Sequence, residues 1–246
     1  MKKHHITALA ISVVALAMAA VAGKTFLEHR IVEPIVRGPG VTDVRKLSAW
    51  YPGLAGTPGD TDVYVFEGDA PGGSMLVLGG THPNEPSSFL SAVLLIENAI
   101  VRTGTLYVIP RANVSGFTHN DPQEGAPVTY SIPLKDGSLR TFRYGSRATN
   151  PIHQWPDPDV YIHAASGQTL SGNETRNLNR GYPGRPDGTL TERVCFGVAQ
   201  LIRAETVDIT IDLHEASPEY PVINAIVAHE RADRKSTRLN SSHESP

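Results

Sequence analysis

The chain has 246 residues, 40% of them hydrophobic and 19% charged, with a formal net charge of −3. That length and apolar content can hold one α/β domain with a sizeable core, and the small net charge with interleaved signs leaves no basic stripe, so nucleic acid is not an expected partner. The single cysteine, Cys195, excludes an intrachain disulfide framework and reads as a small buried hydrophobe within a helical apolar pattern.

Residues 1–23 open on a basic Met1–His5 and continue as an uncharged apolar stretch from Ile6 to Gly23. This reads as a signal sequence, with Ala20-Val21-Ala22 as small residues for cleavage, or as a membrane anchor. Lys2 and Lys3 would stay in the cytoplasm, so the rest of the chain is expected to be exported, periplasmic or extracellular, or anchored in the inner membrane. Residues 24–61 read as a tether and extended lead-in, punctuated by Gly38-Pro39-Gly40, Pro52-Gly53 and Pro58-Gly59. Trp50 and Tyr51 either pack or sit at a membrane surface.

The α/β domain is expected over 62–233. Val63-Tyr64-Val65-Phe66 is its first strand, and Met75-Leu76-Val77-Leu78 is a short buried strand that ends in Gly79-Gly80 and must turn tightly there. Pro86 suits the first position of a helix, and the apolar run from Phe89 to Val101 continues it. His82 and Glu85 therefore fall on a strand-to-helix turn at the carboxyl end of a strand, where open α/β sheets bind ligands. An imidazole and a carboxylate three residues apart can converge on one divalent cation. A catalytic zinc site wants a third protein ligand and an open position. Alone, H-x-x-E is a weak signal, because a solvated turn explains it more often.

Leu106-Tyr107-Val108-Ile109 is the next strand. From Val114 to Thr175 the chain is dense in Pro, Gly, Ser and Asn, and a structureless loop of that length is improbable in a compact domain. Asp136-Gly137, flanked by Tyr130–Lys135 and Ser138–Tyr144, predicts a hairpin, with further loops rimming a pocket. His119, His153 and His163 lie in this stretch, in solvated or structural roles. In Arg176–Gly184, the fork of donors on Arg180 matches a carboxylate and Asn179 adds another donor, so the two can hold a free carboxylate.

Thr189-Leu190-Thr191-Glu192 has the form of a capping box, and Leu190, Val194, Val198, Leu201 and Ile202 follow at helical spacing. The run Val207–Leu213 then alternates, with Asp208, Thr210, Asp212 and His214 on one face. It delivers His214 to the end of a second strand as the third metal ligand, and Asp212 can orient an imidazole from behind. Glu215 points to the opposite face and is not promoted to general base. Val222–Val227 reads as another strand. The polar stretch 234–246 offers no core-facing pattern.

His82-Pro83-Asn84-Glu85, then Arg176-Asn177-Leu178-Asn179-Arg180-Gly181-Tyr182-Pro183-Gly184, then Asp212-Leu213-His214-Glu215 together resemble the zinc carboxypeptidase superfamily, most nearly its succinylglutamate desuccinylase/aspartoacylase branch. The three in this order are far more specific than any one alone. The resemblance implies an α/β fold with a mixed, mostly parallel sheet and helices on both faces, incomplete at the C-terminus. It implies Zn2+ held by His82, Glu85 and His214, a carboxylate-binding pair in Asn179 and Arg180, and Arg176 as the group that stabilises the oxyanion. The implied activity is hydrolysis of an amide bond in a carboxylate-bearing N-acyl amino acid or peptide-like substrate. A metallocarboxypeptidase acting on peptides or cell-wall fragments, and an inactive membrane-tethered binding module, are the alternatives.

In that family a glutamate well downstream of the third ligand serves as general base, and this chain ends at Pro246, soon after His214. The tail 234–246 resembles translated sequencing-adapter read-through, so the authentic protein is expected to continue beyond about Asp233, and the chain as given to hydrolyse slowly or not at all. Resequencing that returned the same tail and stop codon would refute the read-through hypothesis.

Overall fold

The computed structural model describes residues 3–28, 33–121, 126–215 and 226. Its described elements in chain order are helix α1 (Lys3–Glu28), strands β1 (Asp43–Lys46), β2 (Asp62–Glu67) and β3 (Ala70–Leu78), helix α2 (Pro86–Asn98), strands β4 (Thr103–Ile109), β5 (Thr129–Pro133), β6 (Leu139–Arg143), β7 (Val160–Ile162) and β8 (Thr169–Ser171), helix α3 (Leu190–Ala204) and strand β9 (Ile209–Asp212). The chain divides into two units, Met1–His214 and Glu215–Pro246, and all of these elements lie in the first. Except for Ile226, the strand expected at Val222–Val227 and the tail 234–246 lie outside the described residues.

Among the described residues the central sheet runs β1-β2-β4-β3-β9. The β3 strand pairs in parallel with β4 and with β9, while β2 pairs antiparallel with both β1 and β4, so the mixed sheet divides evenly between the two senses. Both faces are covered over β2 and β4, while Ile209 and Ile211 of β9 are exposed. Val63, Val65, Tyr107 and Ile109 pack with Val194, Cys195, Val198 and Leu201 of α3, while Tyr64, Phe66 and Val108 pack with Ala92 and Ile96 of α2. A strand buried on alternate residues in both directions cannot show a polar face, which is why β2 reads as a continuous apolar run.

The two helices follow from local rules. In α2, Pro86 occupies the first turn, where its missing N–H costs nothing, and Phe89, Ala92, Val93 and Ile96 bury one face. In α3, the Thr189 hydroxyl accepts from the Glu192 backbone N–H and the Glu192 carboxylate accepts from the Thr189 N–H, the reciprocal box expected from the sequence. Cys195 is fully buried within this helix, and burial holds its thiol well above the ordinary range.

The lead-in contributes more than a tether. β1 extends the sheet, and Leu47 and Leu54 are completely buried against the α3 side of the core. Composition hides this because Asp43-Val44-Arg45-Lys46 is too short and too charged to read as a strand. Trp50 packs inward: its indole N–H donates to Glu205 at 2.7 Å and its ring meets Tyr107 edge-on. The hairpin forms around Asp136-Gly137 as β5 and β6, with Gly137 at positive φ. The described side chains of α1 are all exposed, and Lys3–Leu27 is long and apolar enough to cross a membrane, a description a signal sequence also meets.

Gly79 and Gly80 set the exit from β3. Their carbonyls accept from Ala112 and Asn113, and the Gly80 N–H donates to the Ser88 hydroxyl, which locks the strand end to the start of α2. Gly80 has φ of 62°, and a β-carbon there would lie 2.8 Å from both the Phe117 ring and the Pro110 carbonyl oxygen. Strain and clash therefore combine. Gly80→Ala is expected to destabilise the fold by roughly 1–3 kcal/mol. A urea midpoint equal to that of the unsubstituted chain would contradict this.

Candidate metal centre

The turn that follows Gly80 brings His82 and Glu85 together. The Glu85 N–H donates to the His82 carbonyl at 3.0 Å, closing a four-residue turn in which Pro83 takes the second position. Tyr144 and Gly145, just after β6, brace it, the Tyr144 hydroxyl donating to the Asn84 carbonyl and the Gly145 N–H to that of Pro83. His82 is 2% exposed, so this imidazole is held in the protein interior.

His214 arrives from the other side of β3. β9 pairs with β3 from Met75↔Ile209 to Leu78↔Asp212, and the Leu213 N–H donates to the Leu78 carbonyl, so His214 emerges level with the His82 turn. Glu85 lies between the two imidazoles. Its Oε1 is 2.6 Å from His82 Nδ1 and its Oε2 is 2.9 Å from His214 Nδ1, and the two rings are 4.8 Å apart. One donor atom from each of the three residues falls within 4.8 Å of the others. Two imidazole nitrogens and a carboxylate oxygen are a donor set that zinc accepts.

The far nitrogens of both rings are already spoken for. His214 Nε2 faces Asp212 at 3.1 Å, and the other Asp212 oxygen accepts from the Thr81 hydroxyl at 2.7 Å. His82 Nε2 faces the Asn177 carboxamide oxygen at 2.9 Å. An aspartate or amide oxygen can only accept, so each Nε2 carries a hydrogen, and Nδ1 is the nitrogen that each ring turns towards Glu85. A contact this short between Nδ1 and a carboxylate oxygen needs a proton or a cation at the shared position. Asp212 first, and then Glu85, hold His214 protonated up to about 10. The same two imidazole nitrogens and carboxylate are the atoms that could hold a divalent cation in place of that proton.

The Arg176–Gly184 motif lies beside this group. Asn177 caps a short 3₁₀ turn, Leu178–Arg180, its side-chain oxygen accepting from the Asn179 N–H. Asn179 and Arg180 are thus placed within a few residues of the amide that touches His82. The side chain of Arg180 is 38% exposed, with Nε 3.6 Å from Glu174. Arg176 is engaged elsewhere. Its Nε and one terminal nitrogen donate to both oxygens of Asp157 at 2.8–3.0 Å, and its other terminal nitrogen donates to the Thr149 carbonyl.

The other histidines are not part of the group among the described residues. His163 bonds Ser166 and the Tyr182 carbonyl, His153 bonds Ser115, and burial with Arg176 nearby lowers His119 to about 4. Sequence reading placed Asp212 behind an imidazole but gave no role to Asn177, Thr81 or Glu174. Only the matching donor and acceptor types in Glu174-Thr175-Arg176-Asn177 hint at them, and which partner each finds depends on the fold.

No protein-family model matches the chain, and no curated protein does. Solved structures do match. One is an aspartoacylase family protein from Mesorhizobium loti, at 22% identity over 74% of this chain and 43% of that one, with a TM-score of 0.44. A succinylglutamate desuccinylase from Silicibacter sp. matches at 19% identity over 64% and 34%, with a TM-score of 0.38. A metallo-carboxypeptidase from Burkholderia cenocepacia matches at 16% identity over 89% and 48%, with a TM-score of 0.40. The chain spans less than half the length of each of the three.

Proposed function

We propose that the chain carries the metal centre of an exported zinc-dependent hydrolase that cleaves an amide bond in a carboxylate-bearing N-acyl amino acid or peptide-like substrate. The observation that carries this reading is the convergence of His214 on the His82–Glu85 turn from a distant part of the chain, with the two imidazoles turned by separate partners to face one carboxylate. His82 Nδ1, a Glu85 oxygen and His214 Nδ1 would hold the zinc. When bound, zinc supplies a Lewis acid that polarises a carbonyl oxygen and acidifies water.

The remaining roles belong to side chains of this chain. Asn179 and Arg180 grip the substrate carboxylate, and the loose 3.6 Å approach of Arg180 to Glu174 leaves guanidinium donors to offer. The oxyanion role of Arg176 requires its pair with Asp157 to open when substrate binds. Among the described residues, Glu85 and Asp212 are the carboxylates bonded to the two histidines, and neither is assigned as general base. The exposed apolar helix α1 would direct export or tether the domain to the membrane.

The test is metal analysis of the full chain, followed by product release from parallel panels of N-acyl amino acids and peptides. The expected result is bound zinc and N-acyl amino acid hydrolysis that stops on chelation and returns with zinc. Cleavage confined to the peptides would favour the carboxypeptidase alternative. Bound zinc with turnover of neither panel would favour the binding module. A chain that retains no zinc would overturn the metal centre itself.

A further inference from the structure

The amide of Asn177 is the weak point in the wiring of the centre, because a carboxamide can turn end for end and exchange its acceptor for a donor. Turned the wrong way, it would point N–H groups at His82 Nε2 and force the hydrogen onto Nδ1, the nitrogen that must face Glu85. Two neighbours oppose that. The Asn179 backbone N–H donates to Asn177 Oδ1 at 3.1 Å, and Asn177 Nδ2 donates to Glu174 Oε2 at 2.7 Å. Of the two, the contact to Glu174 involves a full charge and is the stronger. Glu174 is 25% exposed, and its negative charge is shared with Arg180 Nε at 3.6 Å.

We infer that Glu174 is a positioning residue for the metal centre: its carboxylate fixes the direction of the Asn177 amide, and that direction fixes which nitrogen His82 presents to Glu85. The inference rests on reading His82, Glu85 and His214 as the metal ligands. It adds a residue that touches neither metal nor substrate. The charge sits one side chain further from the imidazole than a directly bonded carboxylate would, so two side chains must be right together.

That joint requirement supplies the test. N177D alone would set two carboxylates against each other across a 2.7 Å contact, whereas N177D combined with E174Q restores one charge and one amide in exchanged order. Zinc affinity of the full chain is read by competition with a chromogenic chelator. The His82 tautomer is read separately from 15N shifts of the metal-free, histidine-labelled chain. Relative to the unsubstituted chain, E174A is expected to weaken zinc binding roughly 10-fold, within the range for groups that orient a ligand from behind. N177D should lose about 10- to 100-fold, and N177D/E174Q should recover to within a few-fold. In the metal-free E174A protein, the Nε2–H signal of His82 should be partly lost as the Asn177 amide turns.

Equal zinc affinity and an unchanged tautomer in E174A would overturn the inference, as would a double variant no tighter than N177D. E174Q, which keeps an acceptor and the side-chain volume, guards against misfolding and should lie within about 3-fold of the unsubstituted chain. If the unsubstituted chain bound no zinc, the metal reading would fail, while the tautomer measurement would still decide whether Glu174 orients His82.

Discussion

Zinc affinity is expected to fall by roughly 10²- to 10³-fold in either His82→Ala or His214→Ala, since apparent zinc free energies of about 10–16 kcal/mol at four-ligand structural sites average about 2.5–4 kcal/mol per ligand. The two variants differ in their side effects. His82 is 2% exposed and bonds both Glu85 and Asn177, so its removal leaves a cavity and deprives two polar groups of a partner. The side chain of His214 is 30% exposed, so its loss disturbs the metal-free fold less. Thermal unfolding with and without zinc separates binding from folding. The unsubstituted chain should gain stability with zinc at saturating excess, by about 2.7 kcal/mol at one hundred times the dissociation constant, and His214→Ala should gain little at that concentration. A zinc-induced shift in His214→Ala equal to that of the unsubstituted chain would remove this residue from the ligand set.

Zinc affinity should also climb with pH by about one order of magnitude per unit from neutrality towards 10, as the His214 proton gives way to the cation. The cause is the raised value of His214, pushed up to about 10 by Asp212 first and Glu85 second. In the metal-free protein this group binds its proton more tightly folded than unfolded. Its stabilising contribution is therefore complete below about 6.5 and is lost as pH rises through about 10. With zinc bound, the competing proton weakens as pH rises, so the stabilisation that zinc confers grows across the same window. Asp212→Asn removes the first cause of the shift and should flatten the climb above neutrality. Chelator competition in a pH series checks both, and a flat profile between pH 7 and 9 in the unsubstituted chain would mean that no such proton is displaced.

The Glu85 carboxylate explains why the centre is legible from its parts. A histidine, a proline and a glutamate within four residues after paired glycines make a turn whose geometry is local: Pro83 constrains the second position, the Glu85 N–H closes onto His82, and Pro86 starts the helix. The β9 alternation is equally local, because period two places Asp212 and His214 on one face whatever the strand packs against. The capping box of α3 and the Asp136-Gly137 turn belong with them, each being made by neighbours in sequence.

Other features depended on contacts that sequence spacing does not encode. Nothing in Asp43-Val44-Arg45-Lys46 announces a strand, and β1 forms because β2 presents an open edge for it to pair with. Arg176 has the donors for an oxyanion, yet Asp157, distant in sequence, takes them in the structure described. Asn177 looks like a filler between Arg176 and Asn179 until the fold sets it against His82 Nε2 with Glu174 behind it.

By itself the amino-acid order determined the two buried-face patterns, the apolar N-terminal helix and the identity of the three candidate ligands, because these follow from residue type and from periods of 2 and 3.6. Only the tertiary structure decided that β9 lies beside β3 in the register that lifts His214 to Glu85, and which nitrogen each imidazole turns inward. The reason is physical: register and tautomer are set by hydrogen-bond partners brought from distant parts of the chain, and such partners exist only once the chain has folded.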